Sequence, residues 1–253
     1  GATNTLSLGS GITVESTSGG LTIGGAGAGV NLSLTASQSF INNSSNLLTI
    51  TNGISSGVAG TNVLTLGGSG NGEVIGTIAN SSGVTALDIN GTGTWQLDGS
   101  SDSFNGGTTL DSGGLGIKSS YALGKTGSHA LTINGGTIFS AGTTARTLPA
   151  TVSTTSNDDC TMGTGTAGTG QALTFSGTID LGGGTRTIVF NNSSTWNGAV
   201  SDGCIIKADS GTNFTFLKFG SNANTYAGPT ILLSGTIAPS TTRRALAHSL
   251  RAA

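Results

Sequence analysis

At 253 residues the chain is long enough for one large domain or two ordinary ones. Forty-five glycines and only 8% charged residues exclude the common helical and α/β classes as first expectations, and a net charge of −2 with 34% hydrophobic residues excludes the high-charge, low-hydropathy profile of a disordered chain. Nine Lys/Arg stand against eleven Asp/Glu without runs of either sign, so no basic stripe is available for nucleic acid.

In chain order, the first elements are short alternating triplets: Leu6-Ser-Leu8, Ile12-Thr-Val14, Leu21-Thr-Ile23, Leu32-Ser-Leu34, Leu48-Thr-Ile50 and Leu64-Thr-Leu66. Later come Leu87-Asp-Ile89, Trp95-Gln-Leu97, Leu115-Gly-Ile117, Leu131-Thr-Ile133, Leu173-Thr-Phe175, Ile188-Val-Phe190 and Phe214-Thr-Phe216. Side chains alternate between the faces of a strand, so each triplet turns two apolar groups inward and one group outward. Glycine, Asn or Ser bounds each triplet, and β-branched residues fill the apolar runs, which leaves little helix signal. The exception is TTRRALAHSLRAA, Thr241 to Ala253, where Thr241 or Thr242 would cap a short helix.

Long-range repetition chooses between a sandwich of hairpins and a solenoid. SFNGGTTLDSGGLGIKSSYALG, Ser103 to Gly124, aligns with TYAGPTILLSGTIAPSTTRRALA, Thr225 to Ala247. Phe104 falls on Tyr226, Gly106 on Gly228, Thr108 on Thr230, Leu110 on Leu232, Gly113 on Gly235 and Leu115 on Ile237. Stacked coils tolerate such duplication because each meets only its neighbours, and their corners call for the positive φ that Gly and Asn adopt. The expectation is an all-β chain, a parallel β-helix (β-solenoid) with short strands and Gly/Asn corners. Coils of about 20 to 25 residues give about ten to twelve turns, stacked at ~4.8 Å. We parse the chain as coils with diffuse repeats over 1–70, coils carrying the repeat over 71–240, and a helical cap or assembly segment over 241–253.

The quoted residues also carry a family likeness. With Gly91-Thr-Gly-Thr-Trp95 as lead-in, the turns Asp102-Ser-Phe104-Asn-Gly106-Gly-Thr108 and Asn224-Thr-Tyr226-Ala-Gly228-Pro-Thr230 resemble the autotransporter-associated β-strand repeat of bacterial surface and secreted proteins, over Asn71 to Ala247. That resemblance implies export and a right-handed hand for the helix. It implies no chemistry, since these repeats are passenger scaffolds. The chain shows no amphipathic β-barrel segment, no run near the ~20 apolar residues of a spanning helix, and no signal-peptide layout at its start. The expectation is an extracellular or cell-surface protein whose signal has been removed.

Candidate chemistry is sparse. Asp158 and Asp159 suit a solvated corner, and Asp88 and Asp180 fall at outward positions. Asp98, Asp102 and Asp111 surround one turn without a His, Arg or Lys placed to activate water. His129 and His248 have no ligand partners at metal spacing and read as exposed polar residues, and LGGGTRT and LGGSGNGE lack the repeated Asp of calcium-binding β-rolls. No metal, cofactor or catalytic residue is expected. Thr92-Gly-Thr94, Thr164-Gly-Thr166 and Thr185-Arg-Thr187 do not recur once per coil, as an ice-binding ladder would require. Trp95, Phe104, Trp196 and Tyr226 recur with the repeat, which suits packing better than sugar stacking. Cys160 and Cys204 leave two readings, a disulfide or two buried free thiols. Arg243, Arg244 and Arg251 would cap the solenoid or meet acceptors on another copy. The leading expectation is a structural protein that self-associates head to tail. A carbohydrate-binding passenger that meets cell-surface glycans comes second, and a β-helical polysaccharide-active enzyme third.

Overall fold

The computed structural model describes residues 4–25, 29–164, 171–209, 215–220, 224–238 and 250–252, the last three by their backbone alone. The described elements are all strands, paired in parallel and stacked as a β-solenoid, with about nine turns across the chain. Two compact units divide it, Gly1–Ala130 and Leu131–Ala253, and each contains one of the two repeat turns.

In the first unit each early coil gives one strand to each of three sheets. Asn4–Leu8, Val30–Leu34, Ile54–Ser56 and Ile78–Ala79 form one sheet. Ile12–Val14, Gln38–Asn42, Thr61–Gly68, Val84–Gly91 and Thr108–Leu110 lie side by side in the second. Leu21–Ile23, Leu48–Ile50, Gly72–Val74, Thr94–Leu97 and Gly114–Ile117 do so in the third. The alternation read from the sequence becomes inward ladders such as Ile23–Ile50–Val74–Leu97–Ile117, whose buried members exclude water from one coil to the next. Leu110, Leu115 and Ile117 extend these ladders with no exposed surface.

The second unit is built alike. Its sheets include Arg146–Leu148, Leu173–Phe175, Ser194–Trp196, Phe216–Phe219 and Thr236–Ala238, and beside them Cys160–Met162, Thr185–Phe190, Cys204–Asp209 and Thr230–Leu232. Of the segment expected to form a helical cap, residues 241–249 lie outside the described residues. Leu250–Ala252 is a strand paired with Thr230–Leu232, which offers its backbone ready-made partners.

Two expectations need correction. Early coils are longer than the 20 to 25 residues assumed: Ile12 sits opposite Phe40, 28 residues on, and Leu21 opposite Leu48, 27 on, which is why the turns number about nine and not ten to twelve. Corners also account for only part of the glycine. Fifteen glycines among the described residues have positive φ, Gly68 at φ 101 among them, against 45 in the chain. Gly72 shows the other use, since it faces Trp95 in the ladder and a Cβ there would lie far inside contact distance of the indole ring.

Candidate functional site

Asn4–Leu8, Ile12–Val14 and Leu21–Ile23 are each the terminal strand of their sheet among the described residues. Leu6 and Leu21 begin inward ladders through Leu32 and Leu48, both buried, yet are themselves 48% and 38% exposed. Edge strands and part-exposed apolar side chains therefore coincide on this coil among the described residues.

On the outer face of the third sheet the sequence reading missed a charge cluster. Lys118 pairs with Glu73 and lies 3.3 Å from Asp98. Glu73 is 45 residues from Lys118 in sequence, and the strand Thr94–Leu97 lies between Gly72–Val74 and the strand that Lys118 follows. Both carboxylates raise the Lys118 ammonium above its ordinary range, Glu73 foremost. A second cluster joins Asp88 to Thr65, whose hydroxyl donates to Oδ2 at 3.1 Å; burial raises the Asp88 carboxyl, and the neighbouring Asp111 raises it further.

In the second unit Lys207 is fully buried. Its Nζ lies 2.6 Å from Asp209 Oδ1 and 3.2 Å from the Ser234 carbonyl, 5.1 Å above the centre of the Phe190 ring. Burial lowers the ammonium and Asp209 opposes it. Strand parity in Ile205-Ile-Lys207-Ala-Asp209 carries the signal that was passed over, because Lys207 and Asp209 share the inward parity of Ile205.

A trough of about 690 Å³ crosses the first sheet of the first unit, floored by Gly53, Ser55 and Ala79 and walled by Asn31, Asn52 and Asn80. No charged residue lines it, and Ile75, 42% exposed, supplies its apolar side.

The remaining expected residues fall as follows. Trp95, Phe104, Trp196 and Tyr226 are buried, so they pack the core and offer no stacking platform. Asp158 and Asp159 are exposed at their corner, and Asp88 and Asp180 are half-buried. Asp102 is fully buried instead of lying on an open turn, with its carboxyl pushed up to about 7 by burial. Asp111 lies beside Asp88, so the three aspartates of that turn do not form one group. His129, expected at the surface, is buried with its ring edge-on to Phe104 at 6.3 Å. Arg243, Arg244 and His248 lie outside the described residues, and Arg251 is described by its backbone alone, opposite Ile231.

Cys160 and Cys204 are free thiols. Cys160 is opposite Ile188 and Cys204 opposite Thr185, on the two strands flanking Thr185–Phe190. Two inter-strand spacings, about 9–10 Å, already exceed the ~7 Å Cα limit of a disulfide. Burial pushes the Cys160 thiol up to about 12, so it is inert in the folded chain. Among the described residues no three His, Cys, Asp or Glu side chains gather as a metal site, and no helix is long and apolar enough to cross a membrane. Comparison of the chain with family models, curated proteins and solved structures finds no match, so the likeness to the autotransporter-associated repeat rests on the residues quoted for it.

Proposed function

We propose that the chain is an extracellular structural protein, a rigid β-solenoid scaffold that extends head to tail as a surface fibre or filament subunit and has no enzymatic role. The observation that carries this reading is the stacking of coils into continuous parallel ladders, a pattern in which the part-exposed Leu6 and Leu21 stand where a further coil would bury them. Covering what remains exposed of each leucine contributes about 0.5–1.5 kcal/mol, so a contact through the whole coil is worth making. The low charge supports it as well, since little of such an interface depends on ionic strength.

A second reading, a carbohydrate-binding passenger, draws on the uncharged Asn- and Ser-lined trough, which suits a neutral hydroxyl-bearing glycan better than an ion. A polysaccharide-active enzyme ranks below both, because Glu73 and Asp98 are tied to Lys118.

Negative-stain imaging across a concentration series tests the leading reading. Filaments should form with the native chain, persist at high salt and disappear with Leu6→Lys combined with Leu21→Lys, while circular dichroism stays unchanged. Isolated particles at every concentration would overturn it, and if those particles retain neutral oligosaccharides on a glycan array the second reading takes its place.

A further inference from the structure

The corner that opens each repeat turn is fastened to the preceding coil in the same way. In the first copy Asp102 Oδ1 accepts the Ile78 N–H at 2.8 Å, and the Ser103 N–H donates to the Ile78 carbonyl at 2.9 Å. In the second, Asn224 Oδ1 accepts the Val200 N–H at 3.0 Å, and the Thr225 N–H donates to the Val200 carbonyl at 2.8 Å. Each time a side-chain oxygen replaces a backbone carbonyl and completes a bridge to a buried strand residue 24 positions earlier. Ionic form separates the two latches. An amide is neutral and fits such a place, whereas a carboxylate with no exposed surface needs several donors to be tolerated. Asp102 has Ile78 on Oδ1, and its buried Oδ2 has no hydrogen-bond partner. Protonated, it offers one C=O and one donor, as asparagine does.

We infer that Asp102 is held as the neutral acid, so that the first latch is a pH-sensitive closure that loosens when the acid ionises, while Asn224 leaves the second latch indifferent to pH. This inference stands apart from the filament reading and survives its failure.

The neighbours favour the neutral form. At the end of strand Thr94–Leu97, Asp98 adds negative charge, and the cation nearest to it, Lys118, is engaged by Glu73 and Asp98 on the outer face. From the following turn Lys125 gives Asp102 only a backbone N–H, 2.7 Å from its carbonyl, and places its Nζ 5.5 Å over the Tyr121 ring. Strand Ile78–Ala79 supplies the one N–H, and the buried His129 makes no hydrogen bond to the carboxyl from either ring nitrogen. Burial therefore dominates, Asp98 adds to it, and the Ile78 N–H opposes both, leaving the carboxyl at about 7 against an ordinary 3.8. The folded chain binds this proton more tightly than the unfolded chain. The stabilisation is full below about pH 4, is lost as pH rises toward 7, and is level above that.

Amide hydrogen exchange of the full chain reads each latch separately. Corrected for intrinsic exchange, protection at the Ile78 N–H should fall about tenfold per pH unit between roughly pH 4 and 7, while protection at the Val200 N–H stays level. Asp102→Asn should flatten the Ile78 profile, and Asn224→Asp, prepared at pH 4, should give Val200 the same fall. A level Ile78 profile in the native chain, or an equal fall in the native chain and Asp102→Asn, would overturn the inference; should Asn224→Asp fail to fold, the native and Asp102→Asn pair still decides it.

Discussion

The two repeat copies share a corner and differ in what lies inside it. In the first unit the ladder meeting that corner is mostly aliphatic, and its one indole, Trp95, fits because Gly72 faces it and the Gly67 carbonyl accepts its N–H at 3.2 Å. In the second unit the corresponding space is aromatic. Phe190, Trp196, Phe219 and Tyr226 follow one another with centroids 6.4, 5.8 and 6.4 Å apart, and Lys207 with Asp209 interrupts the adjoining ladder. The contrast shows that a solenoid coil is not required to match its neighbour in volume or polarity. It is complemented locally instead: glycine and a carbonyl acceptor beside the Trp95 indole, a carboxylate beside the Lys207 ammonium.

The largest expected effect comes from removing one member of such a complement. Lys207→Met leaves Asp209 buried at its Thr215 partner without a cation, and should cost about 3–5 kcal/mol in urea unfolding at neutral pH. Lys207→Met with Asp209→Asn should recover part of it. No recovery in the double variant would mean that the lysine stem, packed on Phe190, matters more than its charge.

The first unit offers a steric counterpart of smaller size. Gly72→Ala presses a methyl group against the Trp95 ring, which is buried and anchored through its N–H, and should cost about 2–3 kcal/mol. Combined with Trp95→Leu, the two losses should sum to less than their separate costs, because the smaller side chain removes the clash. Strict additivity in thermal unfolding would show that Gly72 is needed for its backbone and not for the room it leaves.

These cases mark what was legible in the chain. Period-two alternation fixes strands and the inward parity of Leu110, Leu115 and Ile117 locally, and the long-range repeat favoured the β-solenoid over a sandwich. Repetition aligned Phe104 with Tyr226 and placed both in the core. Contacts between coils could not be read the same way, because coil length varies: Trp95 meets Leu115 after 20 residues and Ile12 meets Phe40 after 28. A fixed period would therefore misplace Lys118 relative to Glu73, or Cys160 relative to Cys204. For Asp102 the sequence reading went no further than a place on one turn with Asp98 and Asp111, whereas the aligned Asn224 carried the signal that a neutral acceptor is wanted there.

The smallest predicted difference lies two and six residues past that acceptor. In the second copy the Tyr226 hydroxyl and Thr230 Oγ1 are hydrogen-bonded at 2.6 Å, while in the first copy Phe104 has no hydroxyl and the buried Thr108 Oγ1 has no hydrogen-bond partner. Thr230→Val strands a buried phenol and should cost about 1–2 kcal/mol, whereas Thr108→Val removes a group that gains nothing from folding and should be neutral or slightly stabilising. Chemical-denaturation midpoints of the two variants read this directly. Phe104→Tyr sharpens the comparison, because a hydroxyl that reaches Thr108 should make Thr108→Val costly in that background alone. If Thr108→Val is as damaging as Thr230→Val in the native chain, the threonine methyl and its packing, not the hydroxyl pair, explain why both copies have threonine at this position.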